Sequence, residues 1–165
     1  MAWGAKASTH RRIIWGSSLA LELAGMVDEL RVSDLSTLSD AAAILHDARF
    51  RREDWQFDPE TGIFELVCWQ LIHDNPRFGQ REWVDFRLKF EQVNDVCAMH
   101  EREERVPFYE ISDLWMASSN RLQILTHYIL KIELNLARLC GTVSSIGSRT
   151  SAPGTENWGK GDILN

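Results

Sequence analysis

The five residues Asp58-Pro59-Glu60-Thr61-Gly62 constrain this chain more than any other stretch. Asp at the first position can accept backbone N–H groups ahead of it. Pro presets φ at the second, and Gly takes the positive φ that closes a hairpin with a bulge. Apolar residues flank the turn, Trp55 and Phe57 before it and Ile63 to Ile72 after it. A central hairpin is predicted, with one strand over Ala48–Phe57 and its partner over Ile63–Ile72.

The second of these strands is apolar on both faces. Phe64, Leu66, Cys68 and Ile72 share one face, and Ile63, Val67, Trp69 and Leu71 share the other. Such a strand belongs in the middle of a sheet. Two later stretches alternate on one face only. WVDFRLKF places Val84, Phe86, Leu88 and Phe90 opposite Asp85, Arg87 and Lys89; LKIELNL places Leu130, Ile132, Leu134 and Leu136 opposite Lys131, Glu133 and Asn135. That is the pattern of an antiparallel sheet with one wet face. RLQILTH reads as another strand, and Met26–Leu35 as a short strand or lead-in segment. REERVPFYEISDLW reads as a loop followed by an extended edge segment, because Pro107 cannot donate to a ladder.

One helix is predicted. Thr37 with Asp40 resembles a capping box, Leu38, Ala41, Ala42 and Leu45 share a face, and the helix ends near His46. The expected fold is therefore α+β: an antiparallel sheet of five or six strands with the central DPETG hairpin and an N-terminal helix.

Charge and composition set the domain limits. Residues 26–143 carry 13 Lys and Arg against 21 Asp and Glu, while residues 1–25 carry three bases and one acid. Met26 opens MVDELRVSDL, so residues 1–25 are read as an extension outside the fold. The Gly- and Ser-rich segment 144–165 is read as a disordered tail. The 26–143 body is then a single domain. Its acidity argues against wrapping duplex nucleic acid, which needs a basic surface, and fits solubility or a basic protein partner. No stretch of about 18 apolar residues is present for a membrane span. Three cysteines without a close pair point to a reducing, cytoplasmic setting.

Candidate chemistry starts at the histidines. His46, His73, His100 and His127 recur every 27 residues, but only the first two share flanking residues, so chance is the favoured reading. His46-Asp47 could act as a general base with its orienting carboxylate. Neighbours on a strand point to opposite faces, however, and a helix exit is the simpler reading. Cys68, His73, Cys97 and His100 suit zinc by number, but not by spacing. Arg49, Arg51 and Arg52 beside Phe50 and Trp55 offer a weak foothold for single-stranded nucleic acid. No phosphate-binding glycine loop and no G-x-S-x-G motif is present, and no cofactor is called for.

LHDARF with TGIFELVC, LKFEQV and LKIELNLARLCG resembles small bacterial proteins of unknown function, over about residues 30–143. Some look-alikes that share the His46-Asp47-Ala48 motif are grouped as immunity proteins of bacterial toxin systems. The resemblance implies an α+β domain and carries no catalytic residue with it.

A non-enzymatic interaction module follows as the leading expectation, bound to a protein partner or to a second copy. Trp69, Trp83 and Trp115 are its expected contact residues, because Trp is enriched at interfaces. The competing expectation is a hydrolase or metal-dependent enzyme in which His46 and Asp47 converge with His73 or His100.

Overall fold

The computed structural model describes residues 28–75, 80–100, 106–127 and 130–151. Within them lie one helix and ten strands. In chain order these are β1 (Glu29–Val32), α1 (Leu35–Leu45), β2 (Arg49–Phe50), β3 (Trp55–Asp58), β4 (Ile63–Asn75), β5 (Gln80–Phe90), β6 (Val93–His100), β7 (Tyr109–Ser118), β8 (Arg121–Thr126), β9 (Leu130–Leu136) and β10 (Gly141–Ser151). The five- or six-stranded α+β expectation is therefore corrected to a mostly antiparallel β fold with a single short helix.

The strand order is β1-β10-β5-β4-β2-β7-β8-β9-β6, with β3 paired to β4 beside that path. Every pairing is antiparallel. The expectation fell short where strands lack apolar alternation. β6, VNDVCAMH, buries only Val93. β10, GTVSSIGSRTS, is mostly polar, yet it lies between β1 and β5 and pairs along both edges. Backbone pairing, on both sides over Gly141–Ser144 and with β5 alone beyond, makes it a strand with Val143 as its one buried apolar side chain. The ordered body thus continues past Val143 to Ser151, where a disordered tail was expected; residues 1–25 and 152–165 lie outside the described residues.

The DPETG turn forms as its chemistry requires. Asp58 Oδ1 accepts the Glu60 N–H at 2.9 Å, Asp58 Oδ2 accepts the Thr61 hydroxyl at 2.7 Å, and Gly62 sits at φ +65°. The strand before it is not continuous. A turn over Arg51–Asp54 splits it into β2 and β3, closed by the Asp54 N–H on the Arg51 carbonyl at 3.1 Å and the Arg51 N–H on Asp54 Oδ2 at 2.6 Å. β4 is central, as its two apolar faces demand, between β5 on one side and β2 and β3 on the other.

The helix is capped one turn earlier than Thr37 suggested. Asp34 is the N-cap, accepting the Thr37 N–H at 2.8 Å, while the Thr37 hydroxyl accepts the Asp34 N–H at 3.1 Å. Such a cap stabilises a helix by about 1 kcal/mol. α1 buries Leu38, Ala41, Ala42, Ile44 and Leu45 against β7 and β1. Those residues join one core with Phe64, Leu66 and Cys68 of β4, Phe86, Leu88 and Phe90 of β5, Leu122 and Ile124 of β8, and Leu130 to Leu136 of β9. β7 is interior, paired to β2 and β8, and Pro107 precedes it. The edge placement expected from that proline is thus corrected, because the proline falls outside the ladder.

Candidate functional site

α1 ends on His46, its C-cap, with φ −59° and ψ 130°. Asp47 follows at φ +66°, in the left-handed region that non-glycine residues enter seldom and Asp more readily than most. The helix-exit reading of His46 thus holds, and the strand geometry that would keep His46 and Asp47 apart does not apply. They are not on a strand, and the reversal brings His46 Nδ1 to 3.1 Å from Asp47 Oδ2. The other carboxylate oxygen, Asp47 Oδ1, lies 3.1 Å from His127 Nε2. The two imidazoles meet edge to face, with centroids 5.6 Å apart.

The backbone beneath this group is pinned. The Asp47 N–H donates to the Ile111 carbonyl at 2.8 Å, and the Ile111 N–H returns to the Ala48 carbonyl at 2.8 Å. The His127 N–H donates to the Glu110 carbonyl at 3.0 Å, and Gln70 Nε2 donates to the His46 carbonyl at 2.8 Å. Strand β7 therefore holds both halves of the group at Glu110 and Ile111. One ligand atom from each of His46, Asp47 and His127 lies within 4.8 Å of the others. Asp47 is 64% exposed, so the group faces solvent.

The expected companions of His46 were His73 or His100; the structure supplies His127. Sequence offered no signal for this contact, which joins residues 80 apart in the chain. His100 instead lies 3.2 Å from the Tyr109 hydroxyl. The side chain of His73 lies outside the described residues. Cys68 is fully buried in the core, and burial pushes its thiol well above the ordinary range, with Asp85 and Asp54 adding to the effect. A buried neutral thiol is a small hydrophobe, not a metal ligand. Cys97 is exposed on β6, opposite Glu133 of β9.

The three tryptophans divide. Trp69 and Trp83 are each 1% exposed, so neither offers its ring to a partner as expected. Trp69 pairs with Asp85, on the face of β4 and β5 away from the Cys68–Phe86 core row. The Arg51 guanidinium lies 5.5 Å from the Trp69 ring and that of Arg49 lies 5.7 Å from Trp83. Arg49 also pairs with Glu110 at 2.8 Å and lies 4.6 Å from the Phe108 ring. These contacts occupy two of the arginines once considered for nucleic acid, and Trp55 packs near Phe64 at 5.9 Å.

Trp115 is different, at 47% exposed on β7. Its Nε1–H donates to Gln123 Oε1 at 3.0 Å, and Gln123 Nε2 donates to Glu133 Oε2 at 2.7 Å. Register places Trp115, Gln123, Glu133 and Cys97 abreast across β7, β8, β9 and β6. The row crosses three strand spacings, roughly 14 Å. It ends at β6, which pairs only with β9 among the described residues and exposes Met99.

No helix among the described residues is long and apolar enough to cross a membrane. Comparison with protein-family models, curated proteins and solved structures gives no match to this chain.

Proposed function

We propose that this domain is a non-enzymatic protein-interaction module. Its working surface is the open face of β7, β8, β9 and β6, and its partner adds an extended strand along the β6 edge. The observation that carries the reading is Trp115, exposed yet held in one pose by Gln123 and Glu133. A large, pre-oriented aromatic side chain loses little freedom on binding, which is why Trp dominates interface hot spots. An open edge gives main-chain hydrogen bonds to an incoming strand, and flanking side chains supply selectivity.

The acidic body supports a protein partner over duplex nucleic acid. The free cysteines Cys68, Cys97 and Cys140 support a reducing, cytoplasmic setting. Holding a toxin in the manner of an immunity protein is one form this reading takes. A second copy docked edge to edge is another, and β6 would then pair with its own symmetry mate.

The test uses the full chain as bait, with Trp115→Ala and Cys97→Lys beside wild type. Lysine on an edge strand blocks strand addition. Wild type is expected to retain one stoichiometric partner, or to run as a dimer in light scattering, and both variants are expected to lose it. No partner and no dimer, or equal retention by all three proteins, overturns the proposal.

A further inference from the structure

The His46–Asp47–His127 group plays no part in the interaction surface, and its chemistry points elsewhere. We propose that it is a binding site for one divalent first-row transition-metal ion of the zinc class. Two imidazoles and a carboxylate form a mixed nitrogen and oxygen set that suits such ions; the all-oxygen sets of calcium and magnesium are a different class.

The geometry is close to what coordination needs. A tetrahedral ion with bonds of about 2.0–2.1 Å holds its donors roughly 3.4 Å apart. His46 Nδ1 lies 3.1 Å from Asp47 Oδ2 and His127 Nε2 lies 3.1 Å from Asp47 Oδ1, and with one donor atom per residue no separation in the set exceeds 4.8 Å. The backbone of all three residues is anchored through Ile111, Glu110 and the Gln70 side chain. The same anchoring explains why Asp47 keeps a positive φ. Solvent exposure at Asp47 and His127 leaves coordination positions for water. The ion would tie the exit of α1 to the end of β8 across the 80-residue separation between Asp47 and His127.

The experiment is calorimetric titration of the chelator-stripped full chain with zinc chloride, and with cobalt(II) for its visible absorption. Asp47→Asn is the main variant, because Asn tolerates a positive φ and preserves the fold while removing the charged ligand. His127→Ala removes a second ligand, and His100→Ala serves as a control away from the site. Wild type and His100→Ala are expected to bind one equivalent with micromolar or tighter Kd. Asp47→Asn and His127→Ala should each weaken binding at least tenfold and lose the zinc-induced rise in Tm. Absence of saturable binding to wild type overturns the proposal. So does binding that survives both ligand variants, or that disappears in His100→Ala.

Discussion

At one end of the sheet β1 is four residues long and carries Glu29 and Arg31; at the other, β6 is eight residues long and its one Asp, Glu, Lys or Arg side chain is Asp95. Both strands pair on one side only among the described residues. Sheet edges invite further pairing, and proteins guard them with shortness, charge, proline and bulges. β1 uses the first two. β6 has a bulge near its start, between Val93 and Asp95, after which Val96-Cys97-Ala98-Met99 runs on with neither charge nor proline. The difference teaches that exposure alone does not select a docking edge. In the proposed reading, the docking edge is the one that lacks this protection and shares an open face with an exposed, oriented aromatic side chain three strands away.

That comparison can be broken from the inside outward. The largest effect is expected at Trp83, fully enclosed on β5. Trp83→Ala should cost about 3–5 kcal/mol in urea unfolding, which sets the scale for an interior strand; a loss below about 1 kcal/mol would mean that Trp83 is surface-like and the division of the tryptophans is misdrawn. Next comes the β1 side. A Cβ at Gly141 would stand 2.5 Å from Phe90 Cδ1 and 2.6 Å from the Lys89 carbonyl. Gly141→Ala should therefore destabilise by about 1–3 kcal/mol through overpacking, and should loosen β1, which pairs with the same residue through Val32. Amide exchange along Glu29–Val32 reads this directly.

At the β6 end the effect should be on association, not stability. Met99→Lys is expected to change unfolding free energy by no more than about 0.5 kcal/mol while abolishing partner capture. A large stability loss there would make β6 an interior strand in function and sink the contrast. The smallest effect concerns pH. Burial holds the Asp85 carboxyl above its ordinary value, although Arg149 at 2.8 Å pulls the other way. The folded state then binds this proton more tightly than the unfolded chain. Stability contributed by Asp85 is present below the unfolded value, near 3.9, and declines as pH rises through the raised folded one. The wild-type Tm should fall relative to Asp85→Asn across that window, and parallel curves would remove Asp85 as the cause.

Side-chain patterns made part of this fold legible. The DPETG turn, the one-faced strands β5 and β9 and the exit of α1 at His46 all carry local chemistry that forces local shape. β10 was illegible because its backbone pairing with β5 along its length, and with β1 over Gly141–Ser144, asks for no apolar alternation. β6 was illegible because it faces water. The Arg51–Asp54 turn hid inside a segment whose residue types allow either strand or turn. At the proposed metal site, His46 and Asp47 stood out by adjacency, but their pairing depends on one backbone angle at Asp47. His127 could not be found at all, since nothing local marks a contact between chain segments so far apart. Trp69 and Trp83 were misjudged because number and type of aromatic residues say nothing about which of them a second face will bury.

The narrowest element has a mechanical consequence. β2 joins the two parts of the sheet through one residue pair to β4, Arg49 with Trp69, and two to β7, Arg49 with Glu110 and Phe50 with Tyr109. The long β4–β5 and β5–β10 ladders on one side, and the β7–β8–β9–β6 ladders on the other, are thus joined by the short segment 47–50, where Asp47 and Ala48 also bond the Ile111 backbone, and by the Val93 N–H on the Gly62 carbonyl at 2.9 Å. Proteins open in cooperative units that often coincide with supersecondary motifs. Here β2 is the narrowest boundary between two such units, so partial unfolding should part the molecule into two sets of ladders that share a core but no longer share a sheet, with residues 47–50 at the point of rupture.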